Sequence, residues 1–315
     1  MNLSLRLSDF SHFMRELELC DYLRIPLHLT TDKNGFWTKK SPKVHKKLTF
    51  ATHIKAYYYL YKKYPRTFPA LDTRRHSVYN DVKELRIMSG MRFTIRSKAD
   101  LIKAINKYGF LPFFRNSIEG FSIEEHIAPE CWYFSDSGRW DAWEWKGSVI
   151  QKTGCAYGKF FEHKAVYISK EWFPDFANYR RDGYDFDARY EDELARHTDK
   201  VLYDLLDSNA PIISKELKKL GDYCKGGNKG FDTAVTRLQE QCYVIISNFV
   251  YMTDKHGQPY GWGVAEYSTP EKIMGAAFTD KVYQREPEES YQLVFEHLRK
   301  ILPLASEEQI RKLLK

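Results

Sequence analysis

Gln239 and Gln241 have a residue type and a spacing that could support a reaction, and they lie in the run Leu-Gln-Glu-Gln at the end of a predicted helix. Two side chains spaced by two residues point to the same side of an extended segment. Their amides could jointly orient a water molecule or hold the polar edge of a nucleobase. The alternative is that both glutamines are exposed polar residues before a strand. The pair is the predicted catalytic site.

Glu144 and Lys146, separated by one tryptophan, point to a different reaction. In metal-dependent nucleases with an E-x-K pair, carboxylates hold a divalent ion and the lysine positions the attacking water. Asp136 or Asp141 could supply the second carboxylate. Such centres usually space their acidic residues across two strands, however, and Asp141 lies only three residues before Glu144. A nuclease is therefore the less favoured alternative.

Several other chemistries lack their sequence motifs. The ten histidines show no metal-ligand spacing. The motifs of phosphate-binding loops, dinucleotide-binding folds, serine hydrolases and zinc proteases are also absent. The sequence therefore predicts neither a metal nor a cofactor.

Positive charge is concentrated in the first quarter of the chain. The net charge is +7, yet residues 1–80 hold 15 basic against 6 acidic residues, and the remainder holds 34 against 36. Such a patch could neutralise phosphates, and the tyrosines interleaved with it could stack on an exposed base. The alternative is a solvated basic surface beside a tyrosine-rich helix.

The predicted DNA contacts are basic side chains from this patch and from the last helical module. They are Lys46, Lys47, Lys62, Lys63, Arg74, Arg75, Lys225, Lys229, Arg237, Lys255 and His256.

The fold that would position these residues is clearest in the sequence of residues 195–275. Apolar spacing predicts a helix around Val201–Leu206, a short helix capped by Ser214 and closed by Gly221, and a third helix from Val235 to Cys242. A strand, a turn and a second strand with alternating apolar residues follow. Three helices and a hairpin are the order of a winged helix, whose third helix usually enters the major groove of DNA.

The rest of the chain is divided by composition and turn residues. Residues 1–97 are predicted to form a basic helical or winged-helix-like module. Residues 98–194 are predicted to form an aromatic-rich central domain, whose first helix is capped by Ser97 and ends at Gly109. Residues 276–315 predict a C-terminal helical segment. The fold class is α+β, mainly helical, with tandem winged-helix modules and short β-hairpins.

The composition excludes several protein classes. The 315 residues are 43% hydrophobic and 16% aromatic, which excludes a disordered or collagenous chain. No apolar run approaches the roughly 18 residues of a membrane span, and five scattered cysteines indicate neither disulfides nor a zinc ribbon. We expect a cytoplasmic protein without a membrane partner. The sequence does not indicate its oligomeric state.

Several segments of the chain resemble a family of bacterial proteins, and the resemblance covers roughly residues 98–300. The segments are AYGKFF, ISKEWFPDFANYRRDGYDFDA, KGGNKGFD, LQEQCY and YGWGVAEYSTPE. They resemble the AlkZ-related proteins, a distant branch of the winged-helix family that contains the DNA glycosylases AlkZ and YcaQ.

The resemblance implies tandem winged helices that form a channel for DNA. It also implies hydrolysis of the N-glycosidic bond of alkylated purines, including bulky N7 adducts and cross-links. The glycosylases carry a Gln-x-Gln or Gln-x-Asp pair near the N-terminus, with a hydrophobic middle residue. Here the only match is Gln239-Glu240-Gln241, in the last module and with an acidic middle residue.

The sequence therefore indicates three candidate functions. The favoured one is a DNA-binding winged-helix protein of DNA repair that hydrolyses the bond between an alkylated purine and its sugar. The alternatives are a non-enzymatic DNA-binding or regulatory protein and, less favoured, the nuclease built on Glu144 and Lys146.

Overall fold

The chain forms two compact units, Met1–His76 and Ser77–Lys315. The computed structural model describes residues 29–31, 37–39, 91, 93–128, 131–132 and 141–315. In the first unit it describes one antiparallel strand pair, β1 (Leu29–Thr31) with β2 (Trp37–Lys39). The helices predicted N-terminal to residue 90 lie outside the described residues.

The second unit confirms an α+β, mainly helical fold with two small antiparallel sheets of three strands. Its first part, called the first module here, contains three helices and three strands among the residues that the structure describes. In chain order they are α1 (Lys98–Tyr108), β3 (Phe110–Pro112), α2 (Ile123–His126), α3 (Ala142–Thr153), β4 (Ala156–Phe161) and β5 (Lys164–Ile168). The sheet order is β3-β5-β4.

Local sequence sets the ends of these helices. Ser97 accepts a hydrogen bond from the Asp100 backbone N–H at 3.2 Å, which confirms it as the N-cap of α1. Gly109 ends this helix with a φ of 75°, in the left-handed range that glycine adopts without strain. Asp141 caps α3 in the same way, by accepting from the Glu144 N–H at 2.9 Å.

One predicted element of this region is reduced in the structure. The alternation of Met91, Phe93 and Ile95 predicts a half-buried strand, but Ile95 forms only an isolated parallel bridge with Ile127. Met91 and Ile95 are both fully buried. The segment therefore contributes apolar side chains to the core rather than a strand to a sheet.

Two short helices follow the first module and lead to a second. These are α4 (Phe173–Arg181) and α5 (Phe186–Glu191). The second module contains α6 (His197–Asn209), β6 (Ile212–Ile213), α7 (Ser214–Leu220), α8 (Phe231–Glu240), β7 (Ile245–Thr253) and β8 (Pro259–Ser268). Its sheet order is β6-β8-β7. The predicted order of helices and hairpin is confirmed, although Ser214 is the first residue of α7 and Ile213 is its N-cap.

The two modules repeat one order of elements. Each runs helix, short strand, short helix, helix and hairpin, and in each sheet the short first strand pairs with the last strand of the hairpin. The sequence predicts a winged helix at 195–275 and a helical or winged-helix-like module at 1–97, but no such module between them. The aromatic-rich region from residue 98 to residue 168 has the same order, although its strand β3 is only three residues long.

The modules pack against each other reciprocally. Helix α3 of the first module packs on β7 of the second, helix α8 of the second packs on β4 of the first, and β4 also contacts β7. Close approach of α3 requires Gly147, since a Cβ on this residue would lie 2.6 Å from Asn248 Oδ1 and 3.2 Å from the Phe249 backbone nitrogen. The third helix of each module is thus covered by the hairpin of the other.

Four C-terminal helices complete the second unit. They are α9 (Pro270–Met274), α10 (Ala276–Thr279), α11 (Pro287–Ile301) and α12 (Glu307–Leu313). Helix α11 packs along α4. The buried side chains of the described residues form two cores, and those of α11 belong to the larger one. The smaller core lies mainly within the second module. None of the described helices combines the length and apolarity that a membrane span requires.

Arg181, at the end of α4, connects these C-terminal helices to the second module. Its side chain is 2% exposed and donates to Glu271 Oε1 at 2.7 Å, to the Tyr283 hydroxyl at 2.9 Å and to the Cys242 carbonyl at 2.8 Å. A buried guanidinium requires such partners, because an unpaired buried charge is strongly destabilising.

Gly147→Ala is predicted to destabilise the second unit by about 1–3 kcal/mol, because the added methyl group pushes α3 away from β7. Urea denaturation followed by circular dichroism would measure the change in the free energy of unfolding. Gln151→Ala, on the exposed side of the same helix, is the control and should change this free energy by less than about 0.5 kcal/mol. An equal effect of both substitutions would contradict the close packing at Gly147.

Candidate functional site

The glutamine pair does not lie on an extended segment, and that expectation is wrong. Helix α8 continues to Glu240, so Gln239 is in its last turn and Gln241 is the C-cap residue. At 3.6 residues per turn, two side chains that are two positions apart on a helix are related by about 200° of rotation around its axis, so they point in nearly opposite directions. The two amides therefore do not face one common point.

Gln239 lies in the contact between the modules. It is 1% exposed, its Oε1 accepts from the Lys159 backbone N–H of β4 at 3.1 Å, and its Nε2 donates to the Val235 carbonyl at 3.3 Å. Lys159 Nζ also donates to Thr236 Oγ1 at 3.1 Å. The oxygen of the Gln239 amide therefore holds α8 against β4, whereas its nitrogen bonds within α8 itself.

The predicted DNA contacts of the second module fall into two groups. Arg237 forms a two-point ion pair with Asp199 of α6, with nitrogen–oxygen distances of 2.8 and 2.5 Å, and this pairing raises its pKa. The other four residues are exposed on two loops. Lys225 and Lys229 precede α8, and Lys255 and His256 lie at the tip of the β7–β8 hairpin. The predicted contacts from Lys46 to Arg75 lie outside the described residues.

A cavity of about 240 Å³ lies beside the contact between α3 and the β7–β8 hairpin. We call it the α3–β7 pocket. Helix α3 supplies Trp143, Glu144 and Lys146 to its wall, and β7 supplies Phe249 and Tyr251. Trp262 of β8 stands next to it, 61% exposed, with its ring 6.1 Å from that of Trp143.

Glu144 and Tyr251 form the polar side of the α3–β7 pocket. The Tyr251 hydroxyl donates to Glu144 Oε2. Burial, followed by the hydrogen bond to Glu144 and the charge of this residue, raises the pKa of Tyr251. The phenol therefore stays protonated, and it orients a carboxylate that faces the cavity.

Lys146 is the unusual residue of the pocket. It is 4% exposed, and its Nζ lies 3.2 Å from the centre of the Trp143 ring and 4.2 Å from that of Phe249. Among the described residues, none accepts a hydrogen bond from Nζ or lies within ion-pair distance of it. Burial lowers the pKa of Lys146 from 10.5 to about 7, against the opposing charges of Glu144 and Asp141. At neutral pH a large fraction of this amine is uncharged.

The predicted nuclease arrangement has a different geometry in the structure. Glu144 and Lys146 lie on a helix, and Asp141 uses its carboxylate to cap that helix. Within the part of the chain that the structure describes, there is no group of three histidine, cysteine or acidic residues suited to a metal ion. Asp136 lies outside that part.

Sequence reasoning selected Glu144 and Lys146 but missed the residues that surround them. Phe249 and Tyr251 alternate along β7, and this spacing could have shown that they share one face of the strand. Nothing in the sequence indicates that this face meets α3, because Tyr251 and Glu144 are 107 residues apart.

Comparison with known proteins identifies the family. The profile described as AlkZ related matches residues 95–315, which include both modules and the four C-terminal helices. The chain belongs to the AlkZ-related family. No curated protein and no solved structure matches this AlkZ-related chain.

Lys146→Met is predicted to stabilise the AlkZ-related chain near neutral pH and to stabilise it less at high pH. The folded pKa of about 7 lies below the unfolded value of 10.5, so burial of the lysine costs most at and below pH 7. This cost falls as the pH rises towards 10.5. With some attraction from the aromatic rings, the gain is about 2–4 kcal/mol at pH 7.

Urea denaturation at pH 7.0 and pH 9.5 would measure this difference in the free energy of unfolding. Lys152→Met, exposed on the same helix, is the control and should show no such pH dependence. A gain from Lys146→Met that is equal at both pH values would contradict the lowered pKa.

Proposed function

We propose that this AlkZ-related protein binds DNA through tandem winged-helix modules and hydrolyses the N-glycosidic bond of alkylated purines. The observation that carries the proposal is the repeated order of elements, helix, strand, helix, helix and hairpin, within the segment that matches the family. Three helices and a hairpin are the order of a winged helix. An N7-alkylated purine is already a good leaving group, so the reaction needs an oriented nucleophile and stabilisation of a cationic sugar.

The reciprocal packing determines how we expect DNA to be bound. The helix that usually reads the major groove would be α8. Its residues Gln239 and Leu238 are buried, Arg237 is paired with Asp199, and its exposed positions include an acidic residue, Asp232. We therefore propose that α8 supports the interface without entering the groove. Loop residues such as Lys225 and Lys255, together with the basic N-terminal region, would contact the phosphates.

DNA binding without base release is the second candidate function, and one observation favours it. The Gln239 amide is used on both sides by contacts within the protein, at 3.1 and 3.3 Å. A water-orienting role would require this amide to leave β4. If Gln239 only supports the fold and no other residue supplies the chemistry, the protein binds DNA and releases nothing.

Base release separates these two functions. Incubation with a duplex that contains one N7-methylguanine is predicted to release the methylated base faster than the spontaneous rate, as measured by chromatography of the free base. The same duplex with unmodified guanine is the control and should release none. Tight binding of the alkylated duplex without release above background would eliminate hydrolysis and retain the binding function.

The salt dependence of binding tests the predicted phosphate contacts. Lys46→Glu is predicted to reduce the slope of log K against log salt concentration by about 1, the value for one lost phosphate contact. Lys300→Glu changes the net charge equally and lies on the exposed side of α11, so it should leave the slope nearly unchanged. Fluorescence anisotropy at several salt concentrations measures both. Equal slopes for the wild-type protein and Lys46→Glu would show that Lys46 does not contact a phosphate.

A further inference from the structure

The lysine in the α3–β7 pocket is costly to the fold. Its amine is buried between Trp143 and Phe249 and lacks a hydrogen-bond acceptor among the described residues. Burying an amine without a polar partner is unfavourable, and a methionine would fill a similar space without that cost. Packing alone therefore does not account for Lys146. An uncharged lysine in an apolar pocket is, however, a nucleophile.

The size and walls of the pocket suit one small planar or ring-shaped group. Its volume of about 240 Å³ is below the range of about 300–1,000 Å³ that is usual for drug-sized ligands. Trp143 and Phe249 provide aromatic surface inside, and the exposed ring of Trp262 packs edge-on against that of Trp143. Enzymes that act on a base extrude its nucleotide from the helix, and aromatic or apolar side chains stack on the base or fill the gap.

Glu144 adds the charge that such a reaction needs. Cleavage at C1′ develops positive charge on the sugar, and a carboxylate oriented in advance stabilises that charge. The hydrogen bond from Tyr251 fixes Glu144 in the wall that also holds Lys146. The pocket thus combines an amine, a carboxylate and aromatic walls.

We propose that the α3–β7 pocket receives a single nucleotide extruded from DNA and that Lys146 Nζ attacks its C1′ atom. This inference rests on the proposed function, which supplies DNA as the ligand, and it assigns the chemistry to a residue outside the glutamine pair.

The bonds and protons of the reaction balance without a redox partner. The Nζ–C1′ bond forms while the bond between C1′ and the base breaks, and its electron pair leaves with the base. A cationic N7-alkylated purine departs neutral. The Nζ proton passes through a water molecule in the pocket to Glu144, which returns it to O4′ as the sugar ring opens to an iminium ion. Water then hydrolyses the iminium ion to the aldehyde sugar and free lysine.

Reductive trapping tests the nucleophile directly. The full-length protein is incubated with a labelled duplex that contains one abasic site, whose C1′ is an aldehyde, in the presence of sodium cyanoborohydride. We expect a covalent protein–DNA adduct on a denaturing gel and, after digestion, a mass shift on the peptide that carries Lys146. The rate of adduct formation should rise with pH around 7, the pKa region of this amine.

Two variants and one control define the outcome. Lys146→Gln and Lys146→Arg should reduce the adduct at least tenfold while the protein still binds the abasic duplex, and Lys152→Gln should stay within twofold of wild type. A wild-type protein that binds the abasic duplex and forms no adduct would overturn the proposal. An adduct mapped to another amine would also overturn it, and peptide mapping needs no variant to fold.

Failure of this inference can be distinguished from failure of the proposed function. Release of N7-methylguanine without a trapped adduct would retain base hydrolysis and reject Lys146 as the nucleophile. An adduct at Lys146 without release of N7-methylguanine would retain the nucleophile and reject alkylated purines as substrates.

Discussion

The reciprocal packing of the two modules is the constraint on which the rest of the second unit depends. Helices α3 and α8 each contact the core of their own module and a hairpin strand of the other. One face of each helix is therefore used for contacts within the protein. The same contact creates the α3–β7 pocket, since α3 forms one side of it and β7 forms the other.

The parts of the fold that the sequence could predict are those set by local interactions. The ends of α1 follow from Ser97 and Gly109, and the helices of the second module follow from apolar spacing. The order of the first module was missed because β3 has three residues, all buried, and so shows no alternation. The contact between modules could not be predicted, because Lys159 and Gln239, which make it, are 80 residues apart.

Only the residues that α3 contributes to the candidate site could be selected from the sequence, and the reason is similar. Residue types drew attention to Glu144 and Lys146, but their spacing indicated a metal centre, whereas the structure places the lysine between two aromatic rings. The chemistry of an amine depends on its surroundings, and one of the two rings around Lys146, that of Phe249, comes from β7, more than a hundred residues later in the chain. The glutamine pair was misjudged because α8 runs up to Glu240 and turns the two side chains apart.

The closeness of Gly147 to Asn248 has an evolutionary consequence. A larger residue at 147 would need a smaller one at 248, or a displaced strand, so these two positions should vary together among relatives. Gln239 sets no such condition on its partner, because its oxygen accepts from the Lys159 backbone N–H, which every residue except proline supplies. Substitutions at the Gly147 contact are therefore expected in pairs, one in each module.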